Sequence, residues 1–188
     1  MLDGLTIDTT AFASSYASLQ EGPRLYKEEM REALAAAKNC ISIGDTSSYA
    51  DMVAVPRDYP DVVIKICSGG DAFINYARLC VDRTLNGKHH LKIYSEAEIA
   101  PGVWLFVMER LEGRLGHDLW SMTVSIATGA DTDEPLPEYA DVCKGLTRDI
   151  AAISTAFADN EYSYYSDLHM GNVMLRKDGT IVLLDPVC

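Results

Sequence analysis

The sequence predicts an α+β protein, and three observations carry that prediction. Residues 41–108 hold short apolar runs punctuated by Gly, Pro, Ser and Asp, the pattern of strands. Residues 139–157 carry apolar side chains at three- and four-residue steps, the pattern of one strong amphipathic helix. Residues 173–184 are two short apolar runs around Lys177-Asp178-Gly179, a hairpin signal. Strands first, then a helix, then a small hairpin is the order of an α+β chain.

Taken in order, residues 26–39 (YKEEMREALAAAKN) are rich in helix formers, with acidic residues early. They predict a first helix, ended by Asn39 and the alternating Ile41-Ser42-Ile43. Residues 44–60 are broken by Gly, Ser, Asp and Pro and hold one strand at 52–55. Residues 61–67, DVVIKIC, form a buried strand interrupted by a single lysine, Lys65. Asp71 is placed to cap a helix running to about Leu85, with Phe73, Ala77, Cys80 and Val81 on one face, and Asn86-Gly87 stops it. Residues 91–94 and 103–108 are two further strands, with the Pro101-Gly102 turn before the second. Residues 129–138, GADTDEPLPE, are the clearest loop. The helix after it is apolar at Tyr139, Val142, Cys143, Leu146, Ile150, Ile153 and Phe157, while Lys144, Arg148 and Asp149 fall elsewhere.

Length and charge narrow the function. A chain of 188 residues suits one domain with a sizeable core. Its 28 acidic against 16 basic residues give a net charge of −12, and no basic run exceeds Lys88-His89-His90. Direct nucleic-acid binding, which needs a cationic surface, is therefore not expected. The acidity reads first as solubility and second as a surface for a basic partner. No apolar run approaches a membrane span, and no basic start followed by an apolar stretch marks a secretory signal. The five cysteines are odd in number and include no CxxC pair, which fits a reduced cytoplasm rather than a disulfide or zinc framework.

The chemistry concentrates in SDLHMGNVMLRKDGTIVLLDPV. Asp167 is followed five residues later by Asn172, then by the hairpin, then by Asp185 at the end of its second strand. Phosphoryl transfer needs such a set: a carboxylate to take or orient the hydroxyl proton, and hard oxygen ligands to hold Mg²⁺ against the phosphates. Lys65 has two readings, an exposed lysine on an edge strand or the cation that reaches the α- and β-phosphates.

The run Asp167-Leu-His-Met-Gly-Asn172, followed by Leu183-Leu-Asp185, resembles the catalytic loop and metal-binding aspartate of protein-kinase-like enzymes. Its Asp-x-His-x-x-Asn form is that of the atypical and aminoglycoside-kinase-like branches. With VVIKI around Lys65 and DPV in place of DFG, the chain most resembles the early serine/threonine protein kinase of autographiviruses, the T-seven-like phages, over roughly residues 44–187.

The resemblance implies one kinase-like domain over 1–188. Its antiparallel N-lobe sheet would cover about 1–110, with a hinge at 107–111 and a truncated helical C-lobe over about 112–188. It implies ATP and Mg²⁺ as cofactors, Asp167 as the base, Asn172 and Asp185 as metal ligands, and Lys65 as the phosphate clamp. Gly44, Ser47 and Ser48 would form the phosphate loop, and Glu109 and Leu111, beside Met108, would line the adenine pocket. It also implies an early phage protein of the host-shutoff kind, in the host bacterial cytoplasm, with host proteins as substrates or targets and no membrane.

Two departures stand out. The phosphate loop has one glycine instead of GxGxxG, and no glutamate lies between Lys65 and Glu96 to hold that lysine. Asp82 is the only carboxylate late in the intervening helix. These departures, with the missing activation segment and the acidity, keep a second expectation open: a kinase-derived protein that inhibits a host enzyme by occupying it. A small-molecule kinase is a third reading, opposed by the lack of helices to shape an acceptor pocket.

Overall fold

The computed structural model describes residues 40–42, 50–129 and 139–188. The helix expected at 26–39, most of the 129–138 loop, and Gly44, Ser47 and Ser48 lie outside the described residues. Within them the chain is α+β, with an antiparallel sheet, a small second sheet and helices between and after them. No described helix is long and apolar enough to cross a membrane.

The first sheet has five strands in the order β1-β2-β3-β5-β4. They are β1 (Cys40–Ser42), β2 (Ala50–Pro56), β3 (Val62–Ser68), β4 (Ile93–Ala100) and β5 (Val103–Glu109). β2 pairs antiparallel with both β1 and β3, and Val53 stands opposite Lys65. The alternation of strands places Met52, Ala54, Val62, Ile64, Ile66, Ile99, Val103, Leu105 and Val107 in one core cluster. Strand β4 runs well beyond the expected 91–94. Its later residues SEAEIA alternate only Ala97 and Ile99 with two glutamates, a weak local signal that pairing beside β5 turns into a strand.

Helix α1 (Ala72–Val81) begins where Asp71 Oδ1 accepts the Phe73 N–H at 3.0 Å. It ends at Val81 and not near Leu85. Asp82 caps it, Arg83 takes a left-handed φ of 66°, and Asp82 Oδ1 accepts the Thr84 N–H at 2.8 Å. Strand β6 (Gly113–Arg114) and helix α2 (His117–Thr128) were not expected. The α2 sequence HDLWSMTVSIAT has several β-branched residues and no side-chain cap at Gly116, so its local signal is weak. Helix α3 (Ala140–Asp159) is the expected amphipathic helix, and α2 meets it where Cys143 Sγ lies 3.2 Å from Met122 Sδ. β6, β7 (Val173–Leu175) and β8 (Ile181–Leu183) form the second sheet, in that order.

The chain divides into two compact units, one running to Gly70 and taking in Tyr94–Met108, the other comprising Asp71–Ile93 and Glu109–Cys188. The 107–111 segment passes from the first to the second between Met108 and Glu109, and α1 groups with the second.

Candidate functional site

In the second unit, a short antiparallel bridge between Ser166 and Val187 brings the ends of the motif together. The Tyr165 N–H donates to Cys188 O at 2.8 Å, the Cys188 N–H to Tyr165 O at 3.0 Å, and the Asp167 N–H to Pro186 O at 2.9 Å. Asp167 is thereby fixed beside the strand end that carries Asp185. Asn172 closes the loop from inside. Its Nδ2 donates to the Asp167 main-chain O and to Asp167 Oδ2, both at 2.9 Å. Its own carbonyl accepts the N–H of Leu184 at 2.8 Å and of Asp185 at 3.4 Å. Five residues of sequence and one hairpin therefore place an amide between two carboxylate-bearing backbones.

His169 works within this loop. Its Nδ1 accepts the Gly171 N–H at 2.9 Å, and its Nε2 lies 3.8 Å from Asp167 Oδ2. That supports the backbone around Asp167. Helix α2 adds a brace that the sequence did not announce: Trp120 Nε1 donates to Leu168 O at 3.0 Å.

The hairpin that follows is held by charge. Arg176 Nε and Nη2 donate to Glu109 Oε2 and Oε1 at 2.8 and 2.7 Å, a bidentate pair. Its remaining donors reach Lys88 O at 2.6 Å and His90 O at 2.8 Å. Glu109 Oε1 also accepts the Lys92 N–H at 2.8 Å, and the Glu109 N–H donates to Lys92 O at 3.0 Å. The Glu109 side chain is thus engaged in supporting the hairpin. The hydrogen bonds to Glu109 are also the main cause that raises the Arg176 guanidinium above its ordinary pKa.

A second support runs along 87–91. The His89 N–H donates to Asp149 Oδ2 at 2.9 Å, and the Leu183 N–H to His89 O at 2.8 Å. Tyr76 OH, from α1, donates to Leu183 O at 2.7 Å and accepts the Leu91 N–H at 3.2 Å. Burial pushes this phenol well up, the Cys80 charge adds to it, and Asp185 contributes a smaller effect of the same sign. Asp149 is only 2 % exposed, although its place on α3 reads as polar surface in the sequence. Asp149, Arg176, Trp120 and Tyr76 are the supporting residues that the sequence did not mark.

Lys65 belongs to the first unit. It is 6 % exposed and sits on the third of five strands, which removes the reading as an exposed edge lysine. Its place on β3 is the position the resemblance implies for the phosphate lysine. Leu111 and Met108 are buried. Helix α1, AFINYARLCV, contains no carboxylate, and Asp82 is engaged in its own turn.

The field at the motif is negative. Burial first, and then the Asp167 and Asp185 charges, push the Cys188 thiol above its ordinary value. Among the described residues no group of three or more His, Cys, Asp or Glu could hold a metal. The oxygen set here is smaller: Asp185 and the Asn172 Oδ1 that remains once Nδ2 donates to Asp167. Two hard oxygens in a negative field fit Mg²⁺, which keeps several waters and shares its remaining ligands with phosphates.

No protein-family model matches the sequence, and no curated protein does. Among the solved structures that match, the CAK complex from Chaetomium thermophilum bound to ATP-gamma-S contains a chain that overlaps 84 % of this one. The overlap has a TM-score of 0.45 at 19 % identity and spans 49 % of that chain, about half its length. A likeness of that size says nothing by itself about the chemistry of this chain.

Proposed function

We propose that this chain is a kinase-like phosphotransferase using ATP and Mg²⁺, of the phage serine/threonine type, acting on host bacterial proteins in the host cytoplasm. The observation that carries the reading is Asn172, whose amide holds Asp167 while its carbonyl holds the backbone of Leu184 and Asp185. The Asp167 carboxylate, the Asn172 side-chain amide and the backbone that carries Asp185 are thereby held in one loop. Buried Lys65 on β3, and the order of strand lysine, helix, loop and hairpin, support the same reading.

Each residue has one part. Asp167 takes or orients the proton of the attacking hydroxyl, and its hydrogen bond from Asn172 keeps the carboxylate in place. Asn172 Oδ1 and Asp185 would hold the metal ion, and Lys65 the phosphates. Bound Mg²⁺ supplies charge neutralisation at the transferring group, on which phosphoryl transfer largely depends. Gly44, Ser47 and Ser48 remain the proposed phosphate loop, and Glu109 and Leu111 the backbone edge for adenine.

The test is transfer of label from ATP to host-lysate proteins by the purified chain with Mg²⁺. Asp167→Asn is expected to lower turnover by about 10²- to 10⁴-fold with ATP affinity nearly unchanged. Equal transfer by parent and variant would show that Asp167 is not the base.

One observation favours a second reading, inhibition by occupancy. Helix α1 carries no carboxylate, whereas in an active kinase the helix after the strand lysine supplies a glutamate. An Asp185→Ala chain that stays folded and still arrests host growth would establish occupancy and reject transfer.

A further inference from the structure

A cavity of about 430 Å³ lies outside the candidate site, beside the first half of α3, lined chiefly by Lys88, His89, Asp141, Lys144, Gly145 and Arg148. Its size is that of a small-molecule site. Its charge runs against that of the chain. Acidic residues outnumber basic ones 28 to 16 overall, yet at this cavity three Lys or Arg side chains stand with one Asp. Helix periodicity gathers them, because positions 141, 144, 145 and 148 share one face of α3.

The cations are not consumed locally. Lys88 and Lys144 have no ion-pair partner among the described residues. Arg148 gives its Nε to Asp149 at 3.0 Å, while its side chain stays 70 % exposed with the two Nη groups beyond. Asp149, the nearest buried acid, also accepts the His89 N–H and so is engaged on both oxygens. The His89 ring is 3 % exposed and donates Nδ1–H to Ile181 O at 2.9 Å, which leaves Nε2 as an acceptor. That nitrogen lies against Gly145, where a Cβ would come within 2.6 Å of it, and both residues line the cavity.

We infer that this cavity binds a phosphate group that retains a proton, that of free phosphate or of a small phosphate monoester. Two ammonium groups and a guanidinium end supply donors for its three oxygens. His89 Nε2, left as an acceptor by the Nδ1–H bond to Ile181 O, takes a hydrogen bond from a phosphate that retains one proton, as a monoester does in part near pH 6. A carboxylate or a sulfate has no such proton at neutral pH and leaves Nε2 facing an oxygen lone pair. The inference stands apart from the kinase reading, since none of these residues belongs to the proposed nucleotide site.

The test is an amide NMR titration of the full chain, without Mg²⁺ or nucleotide, at matched ionic strength. The probes are glycerol 2-phosphate, inorganic phosphate, sulfate and chloride. Saturating shifts at Lys88, Lys144 and Gly145 are expected, about tenfold weaker for sulfate than for either phosphate. Tighter binding of glycerol 2-phosphate assigns the site to an ester, and tighter binding of inorganic phosphate assigns it to the free anion. The double variant Lys88→Gln/Lys144→Gln, altering two exposed side chains, should weaken binding by about tenfold or more while core resonances stay in place. Asp185→Ala should leave the titration unchanged. Equal shifts with sulfate or chloride would overturn the site, and so would an unaffected double variant. Shifts that fall instead on 167–172 and vanish in Asp185→Ala would place the phosphate at the nucleotide motif and equally overturn it.

Discussion

Both ring nitrogens of His90 are committed, and to opposite roles. Nδ1 accepts the Gly87 N–H at 3.1 Å, and Nε2 donates to Asp149 O at 2.9 Å. A second ring proton would set two N–H groups against each other in a site only 3 % exposed. Burial is the first cause that lowers the His90 pKa below 6.5. The sign follows: below pH 6.5 the unfolded chain takes up a proton that the native ring refuses, so this stability is full above 6.5 and is lost as pH falls. Urea unfolding from pH 7.5 down to 5.5 should show a falling midpoint, and His90→Gln, which keeps an acceptor and a donor, should flatten that slope. A slope equal in both chains would remove His90 as its source. Arg176 and Glu109 give a second residue-scale expectation, because their side chains are 13 % and 9 % exposed. Arg176→Met leaves a buried carboxylate facing no cation and should cost about 3–5 kcal/mol, whereas the double change with Glu109→Met should recover most of it. A double-mutant cycle by chemical denaturation measures the difference.

Among the elements, the approach of 87–91 to α3 depends on one missing side chain. A Cβ on Gly87 would stand 2.3 Å from the Asp149 carboxylate, the group that anchors the His89 N–H. Gly87→Ala should therefore destabilise the second unit by about 1–3 kcal/mol through overpacking and loss of that anchor. Hydrogen exchange at the His89 and Leu183 amides should quicken in the same variant, since these bonds join the segment to α3 and β8. Unchanged exchange at both would mean that the segment is held some other way. The sequence reads Asn86-Gly87 as a helix stop, yet α1 has already ended at Val81. The glycine serves a close approach, which punctuation by itself does not disclose.

At the scale of the whole molecule the dominant quantity is charge. A net −12 on 188 residues repels itself in the compact state, while salt screens that repulsion over about 8 Å at 0.15 M. Raising NaCl from low concentration to 0.15 M should stabilise the chain by about 1 kcal/mol, or roughly 2–4 °C in thermal unfolding. A falling Tm over that range would mean that local attractions such as Arg176–Glu109 outweigh the net field. The proposed function adds a ligand-linked shift: millimolar ATP with Mg²⁺ should raise Tm, and Asp185→Ala should abolish the rise. No response in the parent chain would count against an intact nucleotide site.

What the sequence by itself determined is what short separations encode. Asp167 and Asn172 are five residues apart and meet directly. The Lys177-Asp178-Gly179 turn closes β7 onto β8, with Gly179 at φ 82° and the Thr180 N–H on Asp178 Oδ1 at 2.9 Å. The period of α3 and the α+β class follow from the same local patterns. Only the tertiary structure decided where buried charge belongs. Lys65 is covered because β3 is an inner strand, and Asp149 is covered because the His89 N–H arrives from 60 residues away. Glu109 turns to Arg176, 67 residues on, and so takes up a supporting place that its sequence position did not suggest. Periodicity states which face of an element a residue occupies. It does not state which polar group will be brought against that face, and a charge is buried only where such a partner offsets its lost hydration.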